Sequence, residues 1–193
     1  MSVINIAIFA SGAGTNALNI INHFRKNPVV RIALIVGNIP TAGVVKIAAT
    51  EDIPFLLIER KRFNEHGYVQ EIGHYDIRLI VLAGFLWKVP LILIQRYPNR
   101  IINIHPALLP AYGGRGMYGA KVHEAVIHAK EPETGITIHY VDELYDHGAI
   151  IFQARCKVEA SDIPESLARK IHALEYKHYP GVIEDLVSKG LLD

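Results

Sequence analysis

The chain is poor in cysteine, with one, Cys156, in 193 residues. A lone thiol forms no disulfide within the chain and builds no cysteine zinc centre, and such usage fits a reducing cytosol. Cys156 reads as a small buried hydrophobe. Charge of one sign is also scarce: 20 Lys and Arg stand against 19 Asp and Glu, a net charge of +1, and no block of like charges occurs. That balance offers no basic face to nucleic acid or to an anionic membrane, so an anionic ligand has to be held locally. No stretch approaches the ~20 apolar residues of a membrane span, and residues 1–14 lack the charged segment that opens a secretory leader. A cytoplasmic protein that binds neither nucleic acid nor membrane is expected. Histidine is plentiful, ten in all. The nearest helical pairs, His123 with His128 and His172 with His178, miss the i, i+4 spacing of a zinc helix, so no metal is expected.

Apolar side chains are abundant. Half the residues are hydrophobic and the mean hydropathy is +0.21, which supplies a core and excludes disordered and collagen-like classes. The length fits one domain over residues 1–193. Residues 3–9 form a short, nearly continuous apolar run rich in β-branched side chains, followed by a glycine turn and a helix-compatible segment at 16–26. The rhythm repeats: a strand at 30–36, a helix at 41–50, a strand at 55–58, a polar region to about residue 72, and a strand at 77–83. A short helix at 90–95 with proline in its first turn, a fifth strand at 100–104 and an amphipathic helix at 118–130 follow. Alternating βα units predict an α/β, Rossmann-like, mostly parallel doubly wound sheet. After Pro132 the pattern changes to period two, and 135–141 with 149–158 predict an antiparallel C-terminal edge hairpin. A long final helix is expected from a cap at Ser161 or Asp162, with Pro164 and Glu165 in its first turn, to about Ser188.

Residues 11–17 read Ser-Gly-Ala-Gly-Thr-Asn-Ala where the first strand hands over to a helix. Backbone N–H groups there can hold a phosphate; the other reading is glycine used only for a tight turn. The spacing imitates a dinucleotide fingerprint, which also requires an acid at the end of the second strand. Val36-Gly37-Asn38 occupies that position, so a monophosphate on a small sugar fits better than a nicotinamide cofactor.

Asn103 and His105 lie two residues apart on one face of the fifth strand, at the C-terminal end where open α/β sheets bind ligands. An amide donor beside an imidazole suits acyl transfer, because the amide stabilises an oxyanion and the histidine moves a proton near neutral pH. The hairpin turn, residues 142–148, adds Asp142, Asp146 and His147. If Asp146 faces His105, its carboxylate favours the imidazolium. His139, near that turn, is a supporting candidate or an ordinary strand residue.

Five segments in register carry a resemblance: residues 7–16 (Ala-Ile-Phe-Ala-Ser-Gly-Ala-Gly-Thr-Asn), 81–85 (Val-Leu-Ala-Gly-Phe), 103–110 (Asn-Ile-His-Pro-Ala-Leu-Leu-Pro), 137–143 running on to Asp146-His147-Gly148, and Glu175 with Tyr179-Pro180. Across essentially the whole chain they are similar to the phosphoribosylglycinamide formyltransferase family, folate-dependent enzymes of purine synthesis. The resemblance implies a formyltransferase fold and two small-molecule substrates, 5-phosphoribosylglycinamide and the cosubstrate 10-formyltetrahydrofolate. It implies that Gly14, Thr15 and Asn16 bind the phosphoribosyl substrate, with Glu175 near its ribose hydroxyls. The pterin ring would lie against Leu86, Trp87, Lys88 and Val89 and the backbone of Asp142 to Asp146, with Asn103 beside it. Asn103 and protonated His105 would stabilise the oxyanion, and Asp146 would keep His105 protonated and order a relaying water.

The chain departs from the family in three places. After Leu109-Pro110 it runs Ala-Tyr-Gly-Gly-Arg-Gly-Met-Tyr-Gly, a glycine-rich stretch expected to be mobile. Trp87 and Lys88 replace a common Arg-Ile pair. Near residues 60–66, Arg62 or His66 is placed to reach a folate glutamate tail, although no contact there is assigned. Methionyl-tRNA formyltransferases, sugar-amine N-formyltransferases and formyltetrahydrofolate hydrolases share the Asn, His, Asp set, so the amine-binding residues must separate them. A core spanning Val3 to about Ser188 is expected to leave no room for a tRNA-binding or regulatory domain. A non-catalytic nucleotide-sensing module using residues 12–16 alone is the alternative outside enzymes. Monomer and homodimer are both compatible with the sequence.

Overall fold

The computed structural model describes residues 3–190; the outermost residues of the expected 1–193 domain lie outside them. The elements run β1 (Ile4–Ala10), α1 (Thr15–Phe24), β2 (Val30–Gly37), α2 (Gly43–Thr50), β3 (Phe55–Leu57), α3 (His66–Gly73), β4 (Ile77–Leu82), α4 (Leu91–Arg96), β5 (Ile101–His105), α5 (Ala120–His128), β6 (Glu133–Tyr140), β7 (Ile150–Lys157) and α6 (Pro164–Ser188). One seven-stranded sheet has the order β3-β2-β1-β4-β5-β6-β7. β1 to β5 pair in parallel, while β5 with β6 and β6 with β7 pair antiparallel. The expected fold class is observed.

Strand alternation explains the two buried faces. Ile4, Ile6, Ile8 and Ala10 of β1 pack against Ala17, Ile20 and Phe24 of α1 and Ile171, Val182 and Ile183 of α6. Ala7 and Phe9 point the other way, toward Tyr68 and Ile72 of α3 and Leu93 of α4. A strand buried on both faces reads as a continuous apolar run, and each such Ile or Phe contributes roughly 1.5–3 kcal/mol of burial.

α3 was not foreseen, because the residues after the strand at 55–58, to about residue 72, read as a polar region. Only Tyr68 and Ile72 of this eight-residue helix are buried, too few to set a visible period. α6 begins one residue later than its expected cap. Ile163 occupies the N-cap, and the Ser166 hydroxyl accepts from the Ile163 N–H while donating to Asp162. Pro180 lies inside α6 and cannot donate to the carbonyl of Tyr176. The Asn19 amide donates to that carbonyl at 2.9 Å instead. The helix stays continuous and brings Tyr179 into the core, where its hydroxyl donates to the Leu82 carbonyl at 3.0 Å.

After β3 the chain crosses to the opposite side of β1 and enters β4, so the order reverses between β1 and β4. A crevice opens at such a reversal, outside the carboxyl ends of the strands. The loops after β1 and β4 are clasped across it: Ser11 N–H donates to the Gly84 carbonyl at 3.1 Å, and Leu86 N–H donates to the Ser11 hydroxyl at 2.9 Å.

Candidate active site

A cavity of about 590 Å³ fills that crevice, within the size range of small-molecule sites. Its wall on the α1 and α6 side includes Gly14, Thr15, Asn16, His172 and Glu175. On the opposite face of the sheet it is bounded by Phe85, Leu86, Trp87, Lys88 and Val89, joined by Val141, Asp142 and Tyr145. Asn103, His105, His139 and Asp146 lie between the two walls, at the end of β5. Every residue that the resemblance names for a catalytic, substrate or cosubstrate role therefore borders one cavity.

The centre is a connected polar cluster in an apolar frame. Asp146 follows β6 in a turn and takes a positive φ of 53°, a conformation Asp tolerates better than most residues. That turn aims its carboxylate back under β5. Its Oδ1 accepts from Asn103 Nδ2 at 3.4 Å, and its Oδ2 accepts from Gly114 N–H at 3.0 Å and stands 3.4 Å from His105 Nδ1. Burial raises the Asp146 pKa, but the neighbouring His139 and His105 and the Gly114 N–H together hold it below the usual carboxylate value. Asp146 is thus ionised near neutrality.

His105 differs from expectation. Burial, the largest influence, lowers its pKa from 6.5; Asp146 and the Tyr112 carbonyl raise it, and His139 lowers it further. With only 3% of its surface exposed, the ring loses more hydration than one carboxylate restores. Burial thus opposes the protonation that Asp146 favours and outweighs it, so the His105 pKa lies below its ordinary value in the free protein. Its Nε2 lies 2.7 Å from the Tyr112 carbonyl oxygen, which assigns the hydrogen to Nε2 and leaves Nδ1 bare toward Asp146. A proton gained on Nδ1 would meet that carboxylate.

His139 joins the cluster through strand register, since it is paired directly with Asn103 across β5 and β6. Its Nδ1–H donates to the Tyr140 carbonyl at 2.7 Å, so its Nε2 accepts from Asn103 Nδ2 at 3.1 Å. The Asn103 amide is consequently oriented by two acceptors, His139 and Asp146. The sequence offered His139 only as a supporting candidate; the antiparallel register was the missing signal.

On the α1 side, Gly14 is the N-cap of α1 with φ 78°, and Asn16 Nδ2 donates to Glu175 Oε2 at 2.8 Å. The Asn16 Oδ1 is buried without a partner. Burial raises the Glu175 pKa, against lowering by the Asn16 hydrogen bond and by His172. On the opposite wall, Asp142 is held below its usual pKa despite burial, by hydrogen bonds from His147 and the Leu144 N–H. Arg62 does not border the cavity; it pairs with Glu71 at 2.7 Å and lies over Tyr68. Arg60 borders it instead, 5.3 Å above the Trp87 ring, a residue that sequence reasoning missed because the 60–66 stretch carries no periodic signal. Among the described residues no group of three His, Cys, Asp or Glu side chains could hold a metal ion, and no helix is long and apolar enough to cross a membrane.

Known proteins similar to this chain are numerous. The chain is 39% identical over 185 residues to a chloroplastic phosphoribosylglycinamide formyltransferase of Arabidopsis thaliana, covering 92% of this chain and 63% of that protein. Thus it spans just under two thirds of that plant relative's length. The phosphoribosylglycinamide formyltransferase of Bacillus subtilis is 36% identical over 187 residues, covering 94% of this chain and 93% of that one. The crystal structure of the Bacillus halodurans phosphoribosylglycinamide formyltransferase superposes with a TM-score of 0.88 at 38% identity, covering 96% of each chain. The formyl transferase family profile matches residues 4–183, nearly everything from the first strand into the last helix, and the chain belongs to the formyl transferase family.

Proposed function

We propose that this protein transfers the formyl group of 10-formyltetrahydrofolate to the glycyl amine of 5-phosphoribosylglycinamide, a step of purine synthesis, as one catalytic domain in the cytoplasm. The observation that carries the chemistry is the convergence of Asn103 and His105 on the Asp146 carboxylate, each 3.4 Å from it, at the mouth of the crevice. Membership of the formyl transferase family and the similar proteins' names support the choice of reaction.

The amine nitrogen attacks the formyl carbon and forms the new C–N bond, and the carbonyl electron pair moves to oxygen. Asn103 Nδ2–H, exchanging its long 3.4 Å contact with Asp146 for the substrate, and the His105 imidazole donate to that oxyanion. His105 donates from Nε2 once that hydrogen turns from the Tyr112 carbonyl, which holds it at 2.7 Å in the free protein. Asp146 lies where it stabilises any positive charge His105 acquires and where it orders a water. Through that water the proton lost by the attacking nitrogen reaches the folate N10 as the old C–N bond breaks. No net proton is released. Gly14, Thr15 and Asn16 receive the phosphoribosyl group, aided by their N–H groups at the start of α1, and Glu175 accepts from ribose hydroxyls. The pterin occupies the slot formed by Leu86 to Val89 and the backbone from Asp142 to Asp146.

The test is a turnover assay with both substrates, followed by the folate absorbance change and by the mass of the formylated product. Wild-type protein is expected to turn over, and Asn103→Ala is expected to lose roughly 100- to 1000-fold in kcat, the usual cost of one oxyanion donor. Binding of the phosphoribosyl substrate without turnover would favour a sensing module. Turnover of a nucleotide-linked sugar amine instead would move the chain to the sugar-amine class.

A further inference from the structure

The cavity presents a problem of charge. A phosphate monoester brings about two negative charges at neutral pH, and the α1 and α6 wall that would receive it already contains the Glu175 carboxyl. Only three lysine or arginine side chains border the cavity among the described residues: Arg60, Lys88 and Arg115. Arg60 lies over Trp87, and Lys88 stands 5.9 Å from the Tyr145 ring centre, both on the aromatic wall. His123 adds no fixed charge at pH 7, because burial, reinforced by His172 and His105, lowers its pKa. Arg115 is left.

Its placement suits the task. Arg115 is exposed at the cavity edge and pairs with no carboxylate among the described residues. Gly114 and Gly116 flank it with φ of 96° and 91°, and a Cβ at either would meet nothing within 4 Å. The turn around the arginine, closed by the Met117 N–H donating to the Gly114 carbonyl at 3.1 Å, therefore stands clear of neighbouring side chains on both sides of it. The same segment holds the central cluster: the Tyr112 carbonyl accepts from His105 and the Gly114 N–H donates to Asp146.

Resting on the phosphoribosyl reading above, we propose that Arg115 is the cation that receives the substrate phosphate, pairing with it across the cavity from the Gly14 to Asn16 turn. A guanidinium binds phosphate oxygens in a fork that an ammonium cannot reproduce. Phosphate capture and the hydrogen bonds of His105 and Asp146 then depend on one loop.

The experiment compares 5-phosphoribosylglycinamide with its dephosphorylated riboside in wild type, Arg115→Ala and Arg115→Lys, each checked for a native circular dichroism spectrum. The quantity read is the ratio of the two kcat/KM values. Loss of a hydrogen-bonded ionic partner is expected to lower this phosphate preference by about 10- to 100-fold in R115A, and R115K should recover part of it. An unchanged ratio in R115A, or equal losses on both substrates, would overturn the proposal. In parallel, the dissociation constant of ribose 5-phosphate is measured by calorimetry, a readout that does not require turnover. A weakening in R115A of the same order supports the role of Arg115 even if wild type fails to formylate the substrate, an outcome that would sink only the reaction assignment. Equal affinity in wild type and R115A would overturn the role of Arg115 directly.

Discussion

Two glycine-rich loops face each other across the cavity, and their glycines are there for opposite reasons. At Gly14 a Cβ would fall 2.8 Å from Ile47 Cδ1 and 2.9 Å from Val44 Cβ, and at Gly43 one would fall 2.7 Å from the Ala13 carbonyl oxygen. The first loop is wedged against α2, and Gly14 in the loop and Gly43 at the start of that helix allow the close packing. At Gly114, Gly116 and Gly119 the surroundings are empty to 4 Å, and what the glycines supply is a positive φ. One loop is a fixed cradle. The other is a hinged strap whose backbone engages the reacting groups.

The largest effect is expected where the strap meets the chemistry. Asp146→Asn keeps a residue that tolerates the φ of 53° and still offers an oxygen to the Gly114 N–H, while removing the charge beside His105. A loss of kcat on the order of 100- to 1000-fold is expected, with the urea midpoint nearly unchanged. Near-normal turnover in folded D146N would show that the strap merely packs against the site.

The cradle should respond in the opposite currency, stability. Gly14→Ala combines backbone strain with overpacking against Val44 and Ile47, and should cost about 3 kcal/mol in unfolding free energy. Gly116→Ala, strained only in φ, should cost about 1–2 kcal/mol. Urea denaturation of both variants checks the order, and equal costs would erase the distinction between wedge and hinge.

The same contrast explains what the sequence made legible. The cradle was visible because its residues fall at a strand-to-helix junction, where local chain geometry assigns them a task. Asn103 and His105 were visible for the same reason, standing at a strand end two residues apart. The partnership with Asp146 was only conditional, since it lies 43 positions from Asn103 and the contact depends on the antiparallel return through β6. His139 was underweighted because facing Asn103 is a matter of register. The downward shift of the His105 pKa could not be read at all: it results from burial outweighing a carboxylate, and burial is a property of the assembled core. Arg60 and Arg115 likewise became distinct from Arg62 only once Glu71 and Tyr68 were seen to occupy the latter.

The smallest effect, and the most discriminating, is in the pH dependence of stability, where the walls should pull in opposite directions. Glu175, bonded to the cradle through Asn16, has its pKa raised by burial. The folded state thus binds its proton more tightly than the unfolded chain, and the stability contributed below the ordinary value of 4.5 is lost as pH rises through the raised pKa. His105, bonded to the strap, and His123 have theirs lowered from 6.5 by burial. For them the unfolded chain binds protons more tightly, so stability is lost as pH falls below about 6.5. Glu175→Gln, which keeps an oxygen for Asn16, should raise the thermal midpoint at pH 8 relative to wild type and leave it closer to wild type at pH 4. His123→Gln should flatten the loss of stability between pH 6.5 and 5. If Glu175→Gln were destabilising at pH 8 as much as at pH 4, the carboxylate would be a structural partner of Asn16. The cradle would then owe its geometry to an ion held in place for packing, with no buried acid kept at a cost for a ligand's hydroxyls.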